Sequence, residues 1–303
     1  MNDPSLERAG ASDAGALTSL SLLQRTRTLL ESHQLRPVKS LGQNFLIDDN
    51  LARKIAAAAL EFQPKRIVEV GPGLGALTTA LADGGVEVVA FEKDRKLEAP
   101  LRELLVSYAG VELRMGDFLE AEGLDELSPG SVAVGNLPYY VTTPILEKLF
   151  LTSPPFLGVI VTVQREVAQR LTARPGTAEY GSLTVFCTYY MERVEELCRL
   201  GPSVFLPQPG VASSALRMIP RREQPREVRD PVSFFLGLRA SFGYRRKTLA
   251  KALASSPDLS LTREQAQEVL VSAGIDGQRR GETLSFTEFV ALGNSIAGHK
   301  ETP

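Results

Sequence analysis

Through its first two thirds the chain alternates between short apolar runs and stretches with helical spacing. The runs at 66–70 (RIVEV), 86–91 (VEVVAF), 111–115 (VELRM), 131–135 (SVAVG) and 157–163 (LGVIVTV) have strand length. Between them the apolar residues recur at helical intervals. Over 49–61, Leu51, Ile55, Ala58 and Ala59 make one buried stripe, and Asp48 or Asp49 can serve as N-cap. Helices are also expected over 21–33, 74–83 and 164–173, and over a stretch ending near Tyr108. At 142–144, a threonine N-cap and a first-turn proline open the helix ILEKLF. Strands alternating with helices predict an α/β fold with a parallel sheet covered on both faces. Residues 183–191 (LTVFCTYYM) and 212–219 (ASSALRMI) read as closing strands without helices between all of them, so an antiparallel strand can end the sheet.

Proline and charge cluster at 219–231 (IPRREQPREVRDP), which reads as a linker. After it Val232, Phe235, Leu236, Arg239 and Phe242 share a helical face, and further helices are expected over 261–273 and 286–296. The expected organisation is a disordered extension over 1–20, an α/β domain over 21–220 and a small all-α domain over 221–303. No internal repeat is visible.

Composition changes this picture mainly by exclusion. Two cysteines, Cys187 and Cys198, and two histidines, His33 and His299, make neither a disulfide framework nor a zinc site. No metal and a reducing, cytoplasmic compartment are the expectation. The first fifteen residues contain acids and lack an apolar stretch, so no secretory signal is read there, and no run has the length of a membrane span. The net charge of −2 gives no global argument for nucleic-acid binding, so any such argument must be local.

The chemistry sits at strand ends. After 66–70 comes GPGLG, where Gly71 and Gly73 let the backbone approach a ligand and free N–H groups at a helix start favour a carboxylate or phosphate. The second strand ends at Glu92, about 20 residues on, where an acid can accept both ribose hydroxyls. The third is followed by Asp117, placed to accept from an adenine amino group. Spacing alone leaves a nicotinamide cofactor and S-adenosylmethionine both open; Ala76 in place of the third fingerprint glycine leans away from the former.

The fourth strand ends in Asn136-Leu137-Pro138-Tyr139. An adenine N6 is a poor nucleophile because its lone pair is delocalised into the ring. The Asn136 amide oxygen and a backbone carbonyl near Leu137 can each accept one N6–H and favour a more tetrahedral nitrogen. Pro138 stiffens the loop. Tyr139 offers a π-face to an extruded base, and Phe205 in FLPQP (205–209) is the candidate for its other face. A methyl on a positive sulfur needs no metal or strong base; alignment is most of the work.

These motifs resemble the ribosomal RNA adenine dimethyltransferases of the small-subunit (KsgA) type. The resemblance runs through LGQNFL (41–46), EVGPGLGALT (69–78), FEKD (91–94), GD (116–117), GNLPYYVTTPIL (135–146), QREVAQRLTARPGTAEYGSLTV (164–185), VFLPQP (204–209), SFGYRRKTL (241–249) and RGETLS (280–285). It implies a Rossmann-like class I S-adenosylmethionine-dependent methyltransferase domain with a small helical C-terminal domain. It also implies that Asn44 and Leu46 join Gly71, Glu92, Asp117 and Asn136 at the cofactor. The implied substrate is a pair of adjacent adenosines in the 3′-terminal hairpin loop of small-subunit rRNA, each methylated twice, in the assembling 30S subunit. A monomer is expected.

Two departures stand out. Tyr140 replaces the family's usual Asn, and Gly210 and Ala212 replace a Lys and an Asp. A local argument for RNA exists in the C-terminal part. From Pro231 to Pro257 there is no acid, but Arg239, Arg245, Arg246, Lys247 and Lys251 occur, and Arg245, Arg246 and Lys247 are the candidate RNA contacts. Competing readings are a large-subunit rRNA adenine methyltransferase, a DNA adenine methyltransferase and a non-catalytic assembly factor on the same fold.

Overall fold

The computed structural model describes residues 16–244 and 246–301. The first elements are α1 (Leu22–Ser32), β1 (Phe45–Leu46), α2 (Asp49–Leu60), β2 (Arg66–Val70), α3 (Ala76–Ala82) and β3 (Glu87–Glu92). Then come α4 (Glu98–Leu105), β4 (Val111–Met115), α5 (Leu124–Leu127), β5 (Ser131–Asn136), α6 (Thr142–Leu151) and β6 (Gly158–Gln164). α7 (Arg165–Leu171), α8 (Ser182–Tyr190), β7 (Met191–Leu200), β8 (Phe205–Leu206) and β9 (Ser213–Pro220) follow. The last elements are α9 (Pro231–Gly243), α10 (Leu249–Ala254), α11 (Arg263–Ser272) and α12 (Phe286–Glu301).

Seven strands form one sheet in the order β4-β3-β2-β5-β6-β9-β7. β4, β3, β2, β5 and β6 are parallel, and β9 runs antiparallel to β6. Strand order reverses between β2 and β5, so the ends of β2, β3, β4 and β5 open onto one edge. That is the switch point where doubly wound sheets bind ligands. This is a Rossmann-like sheet, held by Ile67, Val88, Val132 and Ile160 packed under α2 and α3. Helix α2 starts as its sequence suggests, with the Asp48 carboxylate accepting from Leu51 N–H at 2.9 Å.

Several elements differ from expectation. Residues 183–190 lie in helix α8, not a strand, whereas 191–200 form the edge strand β7. Thr142 does not cap α6 from outside; it lies within the helix, and its hydroxyl donates to the Pro138 carbonyl at 3.0 Å. On α9 the buried face centres on Phe234 and Leu238, while Val232, expected inside, is 65% exposed. Within the extension expected over 1–20, Leu17 is buried in a cluster with Leu29, Phe45 and Leu74. Residues 1–15 lie outside the described residues.

The chain divides into two compact units: residues 1–168 with 193–220, and residues 169–192 with 221–303. A single boundary at 220 is therefore replaced by three crossings. The second unit has its own core around Tyr189, Phe234, Leu249, Leu270 and Phe289. The Tyr180 hydroxyl donates to the Leu284 carbonyl at 2.7 Å, tying 169–192 to the later helices. RGETLS works inside this unit. A Cβ at Gly281 would lie 2.6 Å from the Ser241 carbonyl oxygen, so only glycine fits that approach. Glu288 accepts from Arg279 and Ser285, and those partners, Arg279 first, hold its carboxyl down at about 2. No helix among the described residues is long and apolar enough to cross a membrane.

Candidate active site

A cavity opens at the switch-point edge of the first unit. Asn44, Leu46, Gly71, Gly73, Glu92, Asp117, Asn136, Leu137, Pro138 and Tyr139 all line it.

The glycine turn is built differently from a phosphate cradle. Gly71 and Gly73 have φ of 72° and 61°, the left-handed region that favours glycine. Their N–H groups are already used: Gly71 donates to the Phe91 carbonyl at 2.9 Å, and Gly73 to Glu92 Oε2 at 3.1 Å. The anion at the turn is thus the protein's own carboxylate, whose Oε1 accepts from Asp94 N–H at 2.8 Å. Glu92 is buried, and burial pushes its carboxyl up to about 7 against the pull of the Asp94 and Gly73 N–H groups, with Asp94's charge adding to the rise.

Beneath it lies Glu69, which the motif reading passed over. It is 1% exposed and its Oε2 has no hydrogen-bond partner. Burial pushes its carboxyl up to about 8, the nearby Thr78 hydroxyl pulls the other way, and Glu92 adds repulsion. A signal was available: Glu69 is an acid in the interior of an otherwise buried strand. Two buried carboxylates beside consumed N–H groups disfavour a pyrophosphate and suit a ligand carrying positive charge. S-adenosylmethionine, with a sulfonium and an ammonium, fits that acceptor set.

Asp117 follows β4 with both oxygens engaged, Oδ1 by Leu119 N–H at 3.0 Å and Oδ2 by the Lys93 ammonium at 2.7 Å. Burial raises its carboxyl, but these partners outweigh it and leave it below the ordinary value.

The 136–139 loop is held from three sides. Asn136 Nδ2 donates to the Asn44 carbonyl at 3.0 Å, which ties LGQNFL to NLPY. Its Oδ1 accepts nothing from the described residues. Leu137 N–H donates to the Thr162 carbonyl at 3.0 Å, continuing the β5–β6 pairing. The Tyr139 hydroxyl and Ser213 Oγ share a 2.8 Å hydrogen bond, which fixes the half-buried ring against the start of β9. Burial raises that phenol above its ordinary value, with Ser213 opposing. Ser213 to Ala is expected to slow catalysis roughly two- to tenfold, the value of one hydrogen bond, with S-adenosylhomocysteine affinity unchanged. Tyr139 to Phe should match it, and the double variant should be no slower; additive losses in steady-state rates would refute the tether.

Phe205, expected at the other face of the base, lies elsewhere. Its ring is 1% exposed and packed in the core under the sheet, on a strand whose Phe205 pairs with Leu46 of β1. It cannot offer a face to a base. Tyr140, by contrast, lines the cavity mouth at 52% exposure. Of the basic candidates, Arg246 is exposed. Lys247 is exposed too, but its ammonium donates to Ser255 Oγ at 2.9 Å and stands 4.2 Å over the Tyr244 ring. Arg245 lies outside the described residues.

Known proteins agree with this architecture. The ribosomal RNA small subunit methyltransferase A of Geobacillus kaustophilus (strain HTA426) is 45% identical over 281 residues, covering 90% of this chain and 95% of that protein. The protein of the same name from Geobacillus sp. (strain WCH70) is 42% identical over 283 residues, covering 90% and 96%. Among solved structures, a dimethyladenosine transferase from Plasmodium falciparum shares the fold with a TM-score of 0.72 at 22% identity, covering 84% of this chain and 98% of that one. The 23S rRNA methyltransferase ErmE gives 0.62 at 25% identity, covering 84% and 100%. The fold is that of the class I methyltransferases. A family model described as ribosomal RNA adenine dimethylase matches residues 34–297, and the chain belongs to that family.

Proposed function

We propose that this protein transfers methyl groups from S-adenosylmethionine to N6 of two adjacent adenosines in the 3′-terminal hairpin loop of small-subunit rRNA, giving N6,N6-dimethyladenosine. It does so as a cytoplasmic monomer acting on the assembling small subunit, without a metal ion. The observation that carries this reading is the Asn136 amide, anchored through nitrogen to Asn44 so that its oxygen remains to accept an adenine N6–H.

When bound, the cofactor supplies an electrophilic methyl group on a positively charged sulfur. Glu69, Glu92 and Asp117 are the acceptors that would hold it. Asn136 Oδ1 and a carbonyl in the 136–138 stretch would take the two N6 hydrogens, and Tyr139 would keep the base plane in register. This arrangement works by alignment, since the reacting atoms need only be held in contact.

Labelled methyl transfer to small-subunit particles, large-subunit particles and DNA tests the reading. Dimethyladenosine confined to small-subunit RNA is expected. Label in 23S RNA, or none in small-subunit particles, would overturn it.

Arg245, Arg246 and Lys247 are the proposed phosphate contacts. Replacing Arg245, Arg246 and Lys247 with Gln should flatten the log–log salt dependence of RNA binding by about 2–3 units, at roughly 0.7–0.9 per contact. An unchanged slope with a lowered melting temperature would assign them to internal packing.

A further inference from the structure

Helix α1 lies ahead of the segment that the family model matches, residues 34–297, yet it is anchored into the first unit by polar contacts. Leu22 N–H donates to the Asp49 carboxylate, at 3.3 and 3.2 Å to its two oxygens. One turn on, Arg25 runs into the interior at 5% exposure. Its Nη2 donates to Thr79 Oγ1 at 2.9 Å and approaches the Gly75 carbonyl at 3.5 Å. The Thr79 hydroxyl donates to that same carbonyl at 3.0 Å, beside the helical N–H of Thr79 at 3.1 Å. Gly75 closes the GPGLG turn at φ 78° and starts α3. Thr26, the neighbour of Arg25, lines the cofactor cavity.

A buried guanidinium is expensive to desolvate, and burial lowers the pKa of Arg25 although Tyr108, Asp49 and Asp83 act against the shift. Among the described residues no carboxylate lies within ion-pairing distance of it. A stabilising ion pair therefore does not account for it. Its bonds run to one place, the carbonyl at the end of the glycine turn, directly and through the Thr79 hydroxyl.

We propose that Arg25 is a positioning residue for the cofactor, acting through Thr79 to hold the Gly75 carbonyl and with it the Gly71–Gly75 turn. The inference rests on the methyltransferase reading. It places a determinant of cofactor affinity on a helix outside the matched segment. If Arg25 were there for packing, a similarly sized apolar side chain would be neutral or stabilising and would leave the cavity unchanged.

The test measures S-adenosylhomocysteine binding by calorimetry on the full chain, with a melting curve for each variant. Arg25→Met and Thr79→Val should each weaken binding roughly tenfold, the value of a charge-assisted hydrogen bond. The double variant should be no weaker than the weaker single, because both cut one relay. Arg25→Lys should recover part of the loss, and the RNA KM should stay at the wild-type value. Unchanged affinity in Arg25→Met, or losses that add in the double variant, would overturn the proposal. If Arg25→Met fails to fold, the near-isosteric Thr79→Val decides alone, and wild-type affinity in it would overturn the proposal. Failure of the wild type to bind S-adenosylhomocysteine would instead remove the methyltransferase reading, and this inference with it.

Discussion

Replacing Asn136 with alanine is expected to lower methyl transfer by about a hundredfold or more, the usual effect of deleting one preorganised polar group at a reacting centre. S-adenosylhomocysteine affinity should fall much less, since the proposed contact is to the target amino group. Asn136→Asp separates the two halves of the amide. It retains an acceptor but turns a carboxylate oxygen toward the Asn44 carbonyl, where Nδ2 now donates at 3.0 Å. That variant should also be slow, because the loop loses its tether to the 44–46 segment. Single-turnover rates beside calorimetric affinities make the distinction, and near-normal turnover in Asn136→Ala would take the residue out of the chemistry.

The second large effect concerns charge. Glu69 and Glu92 carry carboxyls raised to about 8 and about 7 by burial, so near neutrality both hold protons part of the time. A cationic ligand favours their ionised forms. S-adenosylmethionine affinity should therefore rise as pH increases from 6 to 7.5, below the range of about 7.7–8.0 in which α-ammonium groups lose their proton, and binding should release protons. Calorimetry in buffers of different ionisation heat counts those protons; binding that is independent of pH and releases none would contradict the assignment. Glu69→Gln should weaken S-adenosylmethionine binding severely and remove the upper part of the pH dependence.

The same shift has a stability consequence of opposite sign. An acid whose folded pKa exceeds its unfolded value binds protons more tightly when folded, so stability is full below the unfolded value near 4.5 and is lost as pH rises through about 8. The ligand-free protein should melt lower at pH 8.5 than at pH 6. Glu69→Gln should reduce that difference even as it impairs binding.

Much of this site was legible because strand ends are local. Glu92, Asp117 and Asn136 each follow a short apolar run, and the parallel sheet brings those ends to one edge. Contacts between distant segments were not legible. Phe205 stands in a motif that resembles a binding loop, but its pairing with Leu46, far away in sequence, turns it inward. Ser213 and Arg25 likewise bond residues 74 and 54 positions away, and nothing in their neighbourhoods announces those partners. The misreading of α8 has a different cause. LTVFCTYYM is rich in β-branched and aromatic residues, and Leu183, Val185, Cys187 and Tyr189 are all buried, so its alternation imitates a strand. Its neighbour β7 is charged and lies at a sheet edge, where burial leaves little pattern.

The interruption of the second unit matters for how the chain is made. Residues 169–192 leave the ribosome well before α12, which begins at Phe286 and supplies Phe289 to their shared core. At ~5–20 residues per second, Tyr189 and Val185 wait roughly 5 to 20 s for those partners. During that interval the buried side chains of α8 lack the later helices that cover them. Truncation at 220 would make that state permanent, because α9 to α12 would never be made. Nascent chains stalled there should be bound by chaperones, and those extended beyond α12 should be bound less.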